Sequence, residues 1–132
     1  ALIKAVQECR EKEIRFRYVV MGRPDRIDSM DMGTLLYNLL SNGIEACMAV
    51  ETERELELVV REEDGTTEIF MENTISGSVL KNNPNLESRK QDKRYHGFGI
   101  ESIRGIIGKY QGHYSYREES GRFIQEIDLR DG

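Results

Sequence analysis

The sequence has few cysteines, few histidines, no long apolar run and no excess of positive charge, and each shortage removes a class of protein. Cys9 and Cys47 are the two cysteines among 132 residues. They cannot build a disulfide framework and neither stands at a metal-ligand spacing, so two reduced thiols are expected. Acidic residues number 24 against 19 Lys and Arg, for a net charge of −5. That balance disfavours non-specific nucleic-acid binding, which needs surplus cations to neutralise phosphates. Any phosphate bound here must meet local positive charge, oriented backbone N–H groups or a metal ion. Apolar stretches break within a handful of residues, so no membrane span is expected, and no signal peptide is visible. The P-loop pattern G-x-x-x-x-G-K-[ST] and the Rossmann turn after a strand are both missing. There is no internal repeat and no linker. What remains, 38% apolar and 33% charged residues, fits one soluble α/β domain with a heavily charged surface.

Periodicity supplies the elements. Leu2, Ala5, Val6 and Cys9 fall at helical spacing in residues 2–10. "EIRFRYVV" alternates, which predicts a half-buried strand with Ile14, Phe16, Tyr18 and Val20 on one side. Asp28 and Ser29 are candidate caps for a long helix from Asp31 to about Val50, with a stripe of Leu35, Leu36, Leu39, Leu40, Ile44 and Cys47. Two strands around Asp64-Gly65 and two around Ser120-Gly121 predict hairpins. Between them lies a polar, basic stretch over 74–98 and then a helix bearing Ile100, Ile103, Ile106 and Ile107, with Gly112 placed to end it. A loop this long in a small domain is usually functional or mobile. The order α-β-α-β-β-loop-α-β-β suits helices on one face of a largely antiparallel sheet.

Three short features carry chemistry. In "YNLLSNGIEA", Asn38 and Asn42 lie four apart and project from one helix face, opposite the leucines. A carboxamide offers a neutral oxygen ligand and two N–H donors, usable at Mg²⁺ when a triphosphate supplies further oxygens. In "HGFGIESI", Gly97 and Gly99 precede a helix; such glycines let backbone approach a ligand, and helix-opening N–H groups attract anions. In "MENTISGS", Asn73 ends a strand and Gly77 follows four later, an amide for a nucleobase edge beside cleared space. Taken singly, each also fits a solvated helix face, a plain loop-to-helix turn or an ordinary strand end.

Together and in this order, the three resemble the GHKL group of ATPases and kinases, over nearly the whole chain from Glu13 onward. The likeness implies the Bergerat fold, an α/β two-layer sandwich with a mixed, mostly antiparallel sheet, helices on one face and a long ATP lid. Within the group the chain looks like the catalytic domain of a sensor histidine kinase, in the branch of peptide quorum-sensing receptors. Hydrolysing members carry a glutamate where this sequence has Asn38, which implies that water is not activated. The phosphoryl transfer that the likeness implies asks mainly for positioning and charge neutralisation, so no covalent catalytic residue is expected. The resemblance makes Asn42 the Mg²⁺ ligand and puts Asn38 on phosphate or metal. It gives Asn73 to the adenine amino group, where the family usually has aspartate, and Gly97 and Gly99 to the triphosphate. "NTISG" keeps the last glycine of that strand-end motif as Gly77 but has Ile75 at the first. Among the basic residues Lys81, Arg89, Lys90, Lys93 and Arg94, Lys93 and Arg94 stand nearest the glycines and are assigned to the phosphates.

The implied reaction moves the γ-phosphoryl of Mg·ATP to a histidine on a separate dimerisation domain, and a response regulator then takes it. His96 and His113 are not in the setting of that acceptor, which is expected upstream. Residues 1–12 are read as the tail of the dimerisation helix and 13–132 as the catalytic domain. The isolated domain is expected to be a monomer, the full-length protein a homodimer, and the domain a cytoplasmic part of a membrane-anchored receptor. Two other readings stay open: a degenerate nucleotide-binding module without phosphotransfer, and a Ser/Thr protein kinase of the anti-sigma type.

Overall fold

A computed structural model describes residues 1–81, 83–86 and 98–130. The elements run α1 (Leu2–Glu11), β1 (Arg15–Met21), α2 (Ser29–Met48), β2 (Glu55–Glu63), β3 (Thr66–Thr74), α3 (Phe98–Lys109), β4 (His113–Glu119) and β5 (Arg122–Arg130). The five strands form one sheet in the order β1-β2-β3-β5-β4. β1 and β2 are parallel, joined through α2, and the other pairings are antiparallel. This is the expected α/β two-layer arrangement with a mixed, mostly antiparallel sheet.

Local chemistry explains the boundaries. The Asp28 carboxylate accepts from the backbone N–H groups of Met30 and Asp31 at 2.8 and 3.3 Å, satisfying donors that the first turn of α2 leaves free. Both hairpins close on two residues with positive φ, Asp64 (53°) with Gly65 (80°) and Ser120 (51°) with Gly121 (76°), as turns matched to strand twist require. Leu56, Leu58 and Val60 of β2, Ile69 and Met71 of β3, and Ile127 and Leu129 of β5 meet Leu35, Leu39, Leu40, Ile44, Cys47, Ile103, Ile106 and Ile107 from the helices. Each such side chain contributes about 1.5–3 kcal/mol when fully buried. α1 joins this core through Ala5 and Cys9, so it is packed into the folded unit.

Two expectations change. Ile14 is buried and Phe16 partly so, but Tyr18 and Val20 are each 49% exposed. They share the face of Leu58 and Val60 through the parallel register; however, β1 is the outermost strand, and the helix layer covers only its first residues. Second, the left-handed residue ending α3 is Gln111 (φ 52°), with Gly112 N–H returning to the Ile107 carbonyl at 2.8 Å. Gly112 is required for space, since a β-carbon there would lie 2.0 Å from the Asp128 carbonyl oxygen. Among the described residues, no helix is long and apolar enough to cross a membrane.

Candidate nucleotide site

The site is built where α2 and α3 cross. Asn38 and Asn42 are half-buried on α2, and Gly99, in the first turn of α3, is buried against them. A β-carbon on Gly99 would stand 3.3 Å from both Oδ1 and Nδ2 of Asn42 and 3.6 Å from Oδ1 of Asn38. Glycine therefore lets the N-terminus of α3 come down onto the two amides. The Asn38 Nδ2 donates to the Thr34 carbonyl at 2.9 Å, which holds its oxygen on the α3 side. Neutral oxygen acceptors and the opening N–H groups of a helix meet there, a combination that accommodates a cation and the anion it accompanies. Among the described residues no three His, Cys, Asp or Glu side chains converge on a metal position. Of the described residues, Asn38 and Asn42 offer a metal their amide oxygens, and a ligand would bring further oxygens.

Asn73 ends β3 and is 2% exposed. Its Nδ2 donates to the Thr74 carbonyl at 3.1 Å, which leaves the amide oxygen as the acceptor. That oxygen lies 3.7 Å from where a β-carbon on Gly43 would be, so the base-recognition candidate sits just beneath the turn of α2 that carries Asn42. Gly43 makes this possible: its β-carbon would fall 2.7 Å from Leu56 Cδ1 and 3.0 Å from Met71 Cε. Gly43 stands beside Asn42 with none of the motif's chemistry assigned to it, although a glycine in mid-helix is a signal of a packing constraint. Thr74 is tied in by its hydroxyl, which accepts from Glu55 N–H at 3.2 Å and lies 3.5 Å from Cys47 Sγ.

Gly77 is exposed, with φ 74° and open space around its Cα. Its conformation, more than a close approach, requires glycine. The following residues are fastened to β4 and α3. Glu118 accepts from Ser78 Oγ and from the N–H groups of Val79 and Leu80, Tyr116 donates to the Pro84 carbonyl, and Arg104 donates to that of Asn85. Burial alone would raise the Glu118 carboxyl, but the Ser78, Leu80 and Val79 donors outweigh it and hold it below its ordinary value. Nothing in the order of residues marked Glu118, because its partners are forty positions away. Lys81 is exposed on this segment. Arg89, Lys90, Lys93, Arg94, His96 and Gly97 lie outside the described residues. His113 is on the sheet surface, 3.1 Å from Asp128.

The sequence pattern of the GHKL domain matches residues 27–130, from the α2 cap to the end of β5. The chain belongs to the GHKL family. No curated protein matches this GHKL domain in sequence. Solved structures share its fold: the nucleotide-free catalytic domain of histidine kinase ThkA has a TM-score of 0.76 at 15% identity, covering 98% of this chain and 86% of that one. The histidine kinase domain of a blue-light-activated kinase from Erythrobacter litoralis gives 0.73 at 14%, covering 96% and 57%. A complex of ThkA with response regulator protein TrrA gives 0.70 at 12%, covering 98% and 38%. The architecture is therefore that of histidine kinase catalytic domains.

Proposed function

We propose that this GHKL domain binds Mg·ATP and donates its γ-phosphoryl group to a histidine on a separate dimerisation domain. The observation that carries the reading is the seating of Gly99 on Asn42 and Asn38, which brings the family's phosphate turn and its asparagine helix together. Asn42 would hold Mg²⁺ through its amide oxygen, with Asn38 placed to accept from a coordinated water. When bound, the cation offsets the charge of the β- and γ-phosphates. The opening N–H groups of α3 would face the phosphates, and the Asn73 oxygen would accept from the adenine amino group. Lys93, Arg94 and Gly97 are proposed to complete the phosphate contacts, with Gly77 at the base side.

Phosphoryl transfer requires chiefly positioning and charge neutralisation. The bond to the departing ADP oxygen breaks as the bond to the histidine nitrogen forms, and no side chain of this domain is consumed. A neutral amide at position 38 cannot take a proton from water as a carboxylate would, so hydrolysis competes poorly. Residues 13–132 would carry the catalytic site, with α1 packed onto them and leading upstream toward the dimerisation helices of a homodimeric, membrane-anchored receptor. The domain would then stand on the cytoplasmic side and pass phosphate to a response regulator. ThkA has been captured with such a regulator.

Calorimetric titration of ATP with and without Mg²⁺, into the natural domain and Asn42→Ala, tests the site. Mg²⁺-dependent binding lost in the variant supports it, and addition of a histidine-bearing dimerisation domain then tests transfer. Absence of binding at millimolar ATP would leave a fold without the chemistry.

A further inference from the structure

α3 is held at both ends, and the far end has no part in the chemistry proposed above. Its first turn carries Gly99 onto the two asparagines. Its last turn and the residue after it, Lys109 and Tyr110, return to the start of α2. Tyr110 Oη donates to Asp31 Oδ2 at 2.5 Å, Lys109 Nζ reaches the same oxygen at 2.7 Å, and Asp28 N–H donates to Tyr110 Oη at 3.0 Å. Asp28 is the residue that caps α2. The Tyr110 carbonyl accepts from Arg130 N–H at 3.0 Å, and Tyr110 is 8% exposed. One phenol thus links the cap of α2, the first turn of α2 and the end of α3.

We propose that Asp31, Lys109 and Tyr110 form a positioning clamp that sets how closely the N-terminus of α3 sits against Asn42, and hence how tightly the phosphates of a nucleotide are held. This rests on the nucleotide-binding reading. The lever is long: eleven residues at 1.5 Å each separate Gly99 from Tyr110 by roughly 16 Å. Ile103, Ile106 and Ile107 are buried between the two ends and act as the pivot. A tilt of about 5° about that pivot, which lies about six residues or roughly 9 Å from Gly99, moves the Gly99 end by roughly 0.8 Å, and hydrogen bonds and metal coordination do not survive displacements of that size unweakened. The hydrogen bonds of the clamp are charge-assisted, and the two donors on one carboxylate oxygen fix a direction as well as a distance. The Asn73 end of the site is built on β3 and does not move with α3.

The test uses Tyr110→Phe, which keeps the ring and removes the hydroxyl, and Asp31→Asn. Mg·ATP affinity is measured by calorimetry and adenosine affinity by NMR titration, in each variant and in the natural domain. Both variants are expected to bind Mg·ATP about tenfold more weakly with adenosine binding unchanged, and the double variant to be no weaker than either single one. Ile127→Val, at a buried core residue of β5 outside the clamp and its pivot, is the control for lost stability: it lowers the melting temperature with no loss of the ATP-over-adenosine preference. Unchanged Mg·ATP affinity in Tyr110→Phe, an equal fall for adenosine, or the same loss of preference in Ile127→Val overturns the clamp while leaving nucleotide binding standing. A natural domain that binds no Mg·ATP overturns both.

Discussion

A β-carbon at position 99 would press on the Asn42 amide from 3.3 Å, and this sets up opposed effects on binding and stability. Alanine in place of glycine within a helix is favourable by about 1 kcal/mol. The added methyl group, however, lies where the amide and its ligand must be. Gly99→Ala is therefore expected to hold or raise the melting temperature while weakening Mg·ATP binding by about tenfold, or ~1.4 kcal/mol. Thermal denaturation alongside calorimetry reads both signs, and weaker binding accompanied by a comparable fall in stability would defeat the local argument. At position 73 the family's usual aspartate suggests that Asn73→Asp should restore charge assistance. The structure predicts otherwise. Asn73 Nδ2 donates to the Thr74 carbonyl in a buried position; a carboxylate would set oxygen against oxygen there. Asn73→Asp is expected to lose about 1–3 kcal/mol of stability in denaturant melts and to gain no ATP affinity.

At the scale of the elements, Gly43 sets the separation between α2 and the β2–β3 pair. A methyl group there meets Leu56 Cδ1 at 2.7 Å and Met71 Cε at 3.0 Å, both flexible side-chain ends. Overpacking of this kind costs about 1–3 kcal/mol, and the helix propensity of alanine returns about 1. Gly43→Ala should lower stability modestly and move Asn42 away from Asn73, which urea melts and ATP titration together would show. Two carboxylates that fasten elements predict the acid limb. Asp31 is held below its ordinary value by hydrogen bonds from Lys109 and then Tyr110, despite some desolvation, and Glu118 is held low by the donors of the 78–80 turn. A lowered folded-state value means stability that is fully present above the ordinary carboxylate range and lost as pH falls from there through the lowered value. Unfolding midpoints followed from pH 6 downward should decline across that window, and Asp31→Asn should flatten the decline. An unchanged slope in that variant would show that Asp31 titrates alike in both states.

The same scale shows what the sequence could reveal. Hairpin turns, the α2 cap and the buried stripe of each helix depend on residues a few positions apart, and they were legible. So was the grouping of Asn38, Asn42 and Gly99, because the order of motifs on known elements implied it. The Tyr110–Asp31 and Glu118–Val79 links join residues 79 and 39 positions apart, and nothing in local patterning marks them. The exposure of Tyr18 and Val20 was misread for a related reason: alternation tells which way a side chain points, whereas cover on that side depends on where the strand falls in the sheet.

For the whole molecule, the question is whether α1 belongs to the domain or to what precedes it. The family likeness divides the chain after residue 12, and the GHKL pattern itself begins at residue 27. Packing argues for a larger unit. Ala5 and Cys9 are 5% and 1% exposed within the shared core, and the Cys9 thiol is pushed up to about 11, first by burial and next by nearby Cys47. The Arg54 guanidinium donates to the Lys12 carbonyl at 3.0 Å, and Arg15 N–H to the Arg54 carbonyl at 2.8 Å, so the end of α1 is stitched to the start of β2. Removing residues 1–12 would uncover Cys47, Leu40 and Ile44 together, a loss of several kcal/mol at about 25 cal/mol per Å² of apolar surface. Against the 5–15 kcal/mol that typically separates folded from unfolded chains, that is decisive. The truncated chain is expected to lose cooperative melting, and its Cys47 should react with a thiol reagent in native buffer, whereas both cysteines of the full chain should react only on unfolding. A truncated chain that melts cooperatively at the original temperature, with Cys47 still protected, would show that α1 is dispensable to the folded unit and leave the domain boundary after residue 12.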